Sequence, residues 1–349
     1  MFLVFLVLLR TVDIPYHHKR ILIAPLCWGL GHATRCIPII DRLLAQGCEV
    51  AIASDSEALT YLRAEYPELQ SFELPSYGIK YSYRSMVINM LVQAPQILTA
   101  VKEERQVAEK INLTWKPDAI ISDNRLGFRS TSVESVYLTH QLQVQGGSAI
   151  GTGVATRLHR YYHQQFDKIW VPDSEGDSSL AGTLSRKPSQ NIDVTYLGPL
   201  SRFRQLDLMK DIDILVILSG PEPQRTQLEK RLLPVLSTVS TDYSIEIVRG
   251  TASVDPPPYP KQIRKSDLMQ SEELNERISR STLVICRAGY SSIMDLASLD
   301  MGALLIPTPG QYEQLYLGQY LDGKHGFECI PQHSVETRLV SRIESRLTH

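Results

Sequence analysis

What this sequence lacks already narrows its function. Its five cysteines, Cys27, Cys36, Cys48, Cys286 and Cys329, are odd in number and far apart, with no C-x-x-C pair among them. Neither a disulfide framework nor a Cys/His zinc site is expected, and a reducing compartment fits. There is no basic surplus: 36 Lys and Arg stand against 38 Asp and Glu, a net charge of −2. A nucleic-acid partner would need a basic stripe, so that class is set aside. With 20 glycines and 20 prolines in 349 residues, low-complexity and collagen-like chains are excluded as well. Neither a G-x-x-x-x-G-K-[ST] loop nor a G-x-S-x-G elbow occurs, which removes P-loop kinases and ordinary α/β-hydrolases.

The apolar run Met1–Leu9 is far shorter than the roughly 20 residues of a membrane-spanning helix. It has no positive charge before it and no small-residue cleavage site after it, so it is not a secretory signal. It reads as a peripheral strand or as a start codon placed too early. The alternative is a shallow membrane contact helped by His17, His18, Lys19 and Arg20. The expected location is the cytoplasm, with peripheral contact on the inner face of the membrane as the variant.

What is present is an alternation of short apolar runs with longer helical patterns, the signature of βαβ units and parallel sheets. At about 150 residues per domain, the length suggests two domains, and 43% hydrophobic residues can fill two cores. Strands are expected at Ile21–Pro25, Val50–Ala53, Ser71–Leu74, Ala119–Ser122, Val136–Thr139 and Lys168–Val171. Between the first two, Cys36, Ile37, Ile40, Leu43 and Leu44 follow helical spacing, with Arg35, Asp41 and Arg42 left for the wet face. Pro38 is awkward in that helix, and Gly47 closes it. Met86–Leu113 is helical in pattern and predicted to break at Pro95.

The alternation pauses at Gly198–Lys210 and resumes with strands at Ile214–Leu218, Ile245–Val248, Leu283–Cys286 and Ala303–Ile306. This divides the chain into an N-terminal domain, 1–205, and a C-terminal domain, 206–349. The segment Asp255–Pro260, with four prolines, is a surface loop. A last helix, Ser334–Leu347, carries Val335, Leu339, Val340 and Ile343 on one face and is expected to pack on a neighbour, the N-terminal domain being one option.

Parallel sheets bind ligands outside the carboxyl ends of their strands, so the polar residues after each strand are the candidates. The loop Trp28-Gly29-Leu30-Gly31-His32 combines a glycine turn with a histidine that could take a proton from an attacking hydroxyl. Its plain alternative is a histidine that only caps the helix. After Cys286 come Arg287, Ala288, Gly289, Tyr290, Ser291 and Ser292, a turn entering a helix whose N–H dipoles suit a diphosphate. Asp295 shares the helical face of Ser291 and Ser292 and could accept both ribose hydroxyls. The alternative is an ordinary helix start with a solvated Asp. Gln311, Glu313 and Gln314, after Pro307-Thr308-Pro309-Gly310, could bind sugar hydroxyls, although Glu313 also suits a helix N-terminus by itself. Ser219 and Gly220 could offer N–H groups to a phosphate. Asp123, Arg125 and His140 follow first-half strands, with structural roles as the alternative. Asp211-Ile212-Asp213 reads formally as D-x-D, but at a strand's entrance, the wrong end for a ligand.

The stretch Ser279–Tyr320, SRSTLVICRAGYSSIMDLASLDMGALLIPTPGQYEQLYLGQY, resembles the donor-binding C-terminal domain of family 28 glycosyltransferases. That family's type member adds N-acetylglucosamine to a lipid-linked muramyl pentapeptide. The G-x-G-H-A-T-R-x-x-P run from Gly29 to Pro38 is similar to the N-terminal loop of the same family's relatives. The resemblance implies the GT-B fold, an α/β architecture of two Rossmann-like parallel-sheet domains facing across a cleft. It also implies an inverting, metal-independent transfer of a hexosyl unit from a nucleotide diphosphate sugar, a UDP sugar, to a hydroxyl acceptor. No resident cofactor is implied, because the nucleotide sugar is a substrate.

Carried across residue by residue, Arg287 and Gly289–Ser292 with Ser219 and Gly220 face the diphosphate, and Asp295 faces the ribose in place of the family's longer Glu. Glu313 and Gln314 match the family's polar pair on the donor sugar, with Gln311 named beside them for the same sugar. His32, with Asp123 as second choice, is the catalytic base, and Gly29, Gly31, Arg125 and His140 lie on the acceptor side. Two departures stand out: the type member's doubled-glycine loop is replaced by Cys27–Gly31, and the loop Ser219–Pro223 has less glycine than usual. The acceptor is a lipid-linked sugar, a glycan or a small metabolite. Two rival functions share this architecture: a UDP-sugar 2-epimerase, and a subunit that binds a nucleotide sugar without catalysis.

Overall fold

The computed structural model describes residues 14–78, 86–144, 149–187, 193–251 and 255–348, so the apolar run at Met1–Leu9 lies outside the described residues. The chain forms two compact units, one ending at Ser201 and the other beginning at Arg202.

In the first unit the strands are β1 (Arg20–Pro25), β2 (Glu49–Ser54), β3 (Gln70–Glu73), β4 (Ala119–Asp123), β5 (Glu134–Leu138), β6 (Lys168–Val171) and β7 (Val194–Tyr196). They make one sheet in the order β3-β2-β1-β4-β5-β6-β7, with every pairing parallel. β1, β2 and β4 are buried almost throughout, as apolar runs covered on both faces must be. The helices are α1 (Gly31–Ala45), α2 (Ser56–Glu65), α3 (Met86–Trp115) and α4 (Ala149–His163). Ala108, Ile111 and Trp115 of α3 pack on Leu22, Ala24, Ala51 and Ile120 of the sheet. α3 does not break at Pro95, which sits inside it on the exposed side. Pro38 is likewise accommodated inside α1.

The second unit contains β8 (Ile212–Ile217), α5 (Gln224–Val239), β9 (Ile245–Val248), β10 (Ile263–Ser266), α6 (Ser271–Ser279), β11 (Ser281–Cys286), α7 (Tyr290–Ser298), β12 (Ala303–Leu305), α8 (Tyr312–Leu321), β13 (Glu328–Cys329) and α9 (Val335–Leu347). Its sheet is also parallel, in the order β10-β9-β8-β11-β12-β13. Both sheets reverse their winding between the first and fourth strands in chain order, β1/β4 and β8/β11. This switch point is where a doubly wound sheet leaves a crevice.

The last helix packs within the second unit. α9 packs against α5 and β11, and its Val335, Leu339 and Ile343 are wholly buried with Leu232, Leu236 and Ile285 in the core of the second unit. The D-x-D pair lies at the entrance of β8, where Asp211 pairs with Arg280 (Nε–Oδ1 2.8 Å) and Asp213 accepts from Ser244 N–H (2.8 Å). Among the described residues, no helix is long and apolar enough to cross a membrane, and no three His, Cys, Asp or Glu converge as a metal cluster would require.

Candidate active site

At the switch point of the first sheet, Pro25 and Asp123 are register partners at the ends of β1 and β4, and Leu26 N–H extends the pairing to Asp123 O (2.9 Å). The chain leaves β1 through a turn in which Gly29 adopts φ +74, a left-handed conformation strained for a side-chain-bearing residue. Gly31 then opens α1 and places His32 in its first turn. His32 Nδ1 lies 3.1 Å from Asp123 Oδ1, and the imidazole is 13% exposed while the carboxylate is fully buried. Two expected site residues are thus brought together from positions 91 residues apart.

Asp123 itself is not placed to act as a base. Arg35 holds both of its oxygens, through Nε at 2.7 Å from Oδ2 and through Nη2 on Oδ1, and the Cys36 thiol points at Oδ2. Burial alone would raise its pKa, but the charges of Arg35 and His32 and their hydrogen bonds outweigh burial and hold the carboxyl well below the usual range. It stays an anion, and its service is to orient His32. The Asp123 assignment is corrected accordingly.

His32 shifts downward from its ordinary value: burial disfavours the imidazolium and the Arg35 charge adds to this, against the opposing pull of Asp123. Because an ionised carboxylate only accepts hydrogen bonds, Nδ1 carries the proton and Nε2 carries the lone pair. This is a neutral base with its tautomer fixed by a hydrogen bond.

Three further expectations are revised here. Arg35 is 3% exposed rather than solvated. His140 is also 3% exposed, and its Nδ1 lies 3.1 Å from Arg35 Nη1, so it belongs to the same buried group and not to an acceptor surface. Arg125 is wholly buried in a separate cluster. It donates to Pro25 O (2.9 Å), to Glu104 Oε1 (2.5 Å) and to Asp55, while Tyr77 O–H donates to Glu104 Oε2 (2.6 Å). With no solvent-facing donor, Arg125 holds the strand ends together and does not greet an acceptor. Gly29, in the loop, and Gly31, at the start of α1, are both half-buried before His32.

At the switch point of the second sheet, Ile217 of β8 and Cys286 of β11 are register partners. The loops leaving these two strands are therefore neighbours: Ser219 and Gly220 from one, Arg287 to Ser292 from the other. Ser219 is half-buried and Gly220 exposed. Next to them Gly250 (φ +67) passes so close to β8 that an added Cβ would sit 2.4 Å from Leu218 O, so the sequence needs glycine there. Gly289 precedes α7, and a Cβ built on it would meet nothing within 4 Å, leaving open space before the helix's positive end. Ser291 and Ser292 are half-buried in the first turn, and Tyr290 is buried.

Arg287 is turned away from that space. It is 1% exposed. Nη1 donates to Gln332 Oε1 (2.7 Å) and Ile306 O (3.2 Å), and Nη2 to Gln224 O (2.7 Å). Burial pushes its pKa down to about 10. The guanidinium ties together the loops after β8 and β12 and the short turn before α9, in place of the expected diphosphate contact. Arg287→Met should leave a ring of unpaired carbonyls. We expect a loss of about 3 kcal/mol in the stability of the second unit, the scale of a broken buried hydrogen-bond network, read as a lower urea midpoint. An unchanged midpoint would contradict the tie.

The pair expected to touch the sugar is divided. Gln314 Oε1 accepts from Thr308 N–H (2.9 Å) and its Nε2 donates to Gln311 Oε1 (2.7 Å), so these amides brace the Pro307–Gln311 turn. Glu313, half-buried, stands beside them in the first turn of α8. Asp295 is 8% exposed and lies 3.9 Å from Arg202 Nε, whose guanidinium also stacks on Phe203. Sequence reasoning missed Arg35 outright. The one available signal was its place three residues after His32, on the same helical face.

Residues 259–349 match the family described as Glycosyltransferase family 28 C-terminal domain. Over 327 residues, 82% of this chain and 79% of that protein, the sequence is 27% identical to an uncharacterized glycosyltransferase of Methanosarcina acetivorans. Two solved structures share the fold. MurG of Acinetobacter baumannii gives a TM-score of 0.56 at 15% identity, covering 95% of this chain and 91% of that one. Spinosyn rhamnosyltransferase SpnG, complexed with thymidine diphosphate, gives 0.60 at 14% identity, covering 94% and 96%. Fold and family match together define a class: this is a glycosyltransferase of the GT-B fold. Within that class, its C-terminal residues are similar to the family 28 C-terminal domain.

Proposed function

We propose that this enzyme transfers a hexosyl unit from a UDP sugar to a hydroxyl of its acceptor, in one inverting displacement and without a metal ion. The observation that carries the reading is the hydrogen bond between His32 Nδ1 and the buried Asp123 carboxylate. It leaves Nε2 ready to take the acceptor's proton as the hydroxyl oxygen bonds to the anomeric carbon. The bond from that carbon to the diphosphate oxygen breaks on the opposite side, and the nucleoside diphosphate departs with the electron pair. His32 then holds the proton as an imidazolium beside Asp123, which stabilises the charge.

The departing diphosphate is received at the amino end of α7, by the backbone from Gly289 to Ser292, with Ser219 and Gly220 from the adjacent strand end. Aligned N–H dipoles supply there the charge stabilisation that a metal supplies in other sites. Asp295 takes the ribose hydroxyls and Glu313 the sugar, with the Gln311–Gln314 pair holding the turn that presents it. The diphosphate bound to SpnG favours a nucleoside diphosphate donor, and uracil against thymine is decided by assay.

The test is turnover with UDP and TDP sugars in excess chelator, following nucleotide release and the anomeric configuration of the product by NMR. We expect full activity with the UDP sugar and an inverted product. Strict dependence on manganese would overturn the metal-free part, and a retained configuration would overturn the single displacement. Conversion of the donor to an isomer without acceptor would identify an epimerase. Thermal stabilisation by UDP without nucleotide release would identify a binding subunit.

A further inference from the structure

Arg35 stands at the centre of a buried chain of four side chains contributed by three parts of the first unit. From α1 come His32 and Arg35, from the end of β4 comes Asp123, and from the residues after β5 comes His140. The guanidinium covers both oxygens of Asp123 and turns its third donor group, Nη1, to His140 Nδ1 at 3.1 Å. Because Arg donates only, His140 must accept at Nδ1, and its proton resides on Nε2. The other titratable groups facing this chain are the Cys36 thiol on Asp123 and the Tyr137 phenol.

The charge of a lone buried carboxylate favours the imidazolium of a histidine beside it and raises its pKa. The higher that pKa, the smaller the share of unprotonated base at a given pH. The cation on the far side of Asp123 changes the outcome. Arg35 and Asp123 neutralise each other, and what remains for His32 is an acceptor for its Nδ1–H without an uncompensated negative charge.

We propose that Arg35 is a positioning residue for the transfer reaction: it fixes the orientation of Asp123 and, by compensating its charge, keeps His32 an unprotonated base. This rests on His32 being the base. It assigns to the arginine of the G-x-G-H-A-T-R run a part in setting the pH range of the enzyme.

The experiment compares the parent, Arg35→Gln and Arg35→Lys by two readouts: NMR titration of the His32 ring in histidine-labelled full-length protein, and the pH profile of kcat/KM. In Arg35→Gln the His32 titration and the acid limb of the profile should both move up by about one pH unit or more, the scale of losing a neighbouring charge. Activity at pH 6.5 should fall at least about tenfold. Arg35→Lys keeps the charge but not the two-pronged geometry. Its limb should stay within about half a unit of the parent while kcat drops about tenfold or more.

An Arg35→Gln protein with parental titration and limb overturns the proposal, as does an Arg35→Lys enzyme with parental kcat. If Arg35→Gln does not fold, the Arg35→Lys result decides. The titration needs no turnover, so the two readings fail separately. Undiminished activity in His32→Ala overturns the base assignment. An unmoved titration together with an inactive His32→Ala overturns only the role of Arg35.

Discussion

His32→Ala is expected to lower kcat for glycosyl transfer by about 10²–10⁴-fold, the usual contribution of a positioned general base. With the donor site proposed for the second unit, donor KM should change little. The same substitution should leave the fold intact, since the imidazole is part-exposed and its one charged partner, Asp123, keeps both contacts to Arg35. The pH profile gives an independent check. Burial and Arg35 lower the His32 pKa from its ordinary 6.5, so the base remains deprotonated some way below that pH. In the parent, kcat/KM should therefore hold level as pH falls through 6.5 and decline only at lower values, as the imidazole protonates. A His32→Ala enzyme with near-parental kcat, or an acid limb centred above pH 7, would remove His32 from the reaction.

Arg125→Met is the substitution expected to do most damage to stability. Among the described residues, Arg125 is the ion-pair partner of both buried carboxylates, Asp55 and Glu104, which are 5% and 0% exposed. Burial already raises the pKa of Glu104 even with Arg125 in place. Without the guanidinium, two carboxyl groups face each other in a dry cluster, and at least one must take a proton or open the site to water. Removing one member of a buried charge network costs about 3–5 kcal/mol. For a unit of this size that corresponds to a drop of roughly 6–20 °C in the first unit's melting temperature. The loss should be partly relieved by Glu104→Gln in the same chain, because the amide keeps the shape and removes a charge. A melting temperature within about 2 °C of the parent would show that the cluster tolerates the loss, and no repair would show that charge is not the cause.

The buried aliphatic strands were legible because a strand covered on both faces is a continuous apolar run, and β1, β2, β4, β8 and β11 are of that kind. Of the edge strands, β3 was legible at Ser71–Leu74 and the other three were not. β7 (VTY), β10 (IRKS) and β13 (EC) are short, partly exposed and paired on one side only, so their residues carry little pattern. The break predicted at Pro95 did not occur: α3 runs through the proline, which sits on its exposed side.

Sequence alone determined the order of the buried strands, the two glycine-bearing loops after β1 and β11, and the histidine at the start of α1. Those features are local, written in runs and turns of a few residues. Only the tertiary structure decided what each polar side chain serves. Arg35 is buried because Asp123, 88 residues further along, ends the neighbouring strand. Arg125 and Arg287, which look like ligand contacts in the sequence, are enclosed by carboxylates and carbonyls from distant loops. A charge can leave water only where such partners converge, and convergence is a property of the folded sheet ends, not of any segment that builds them.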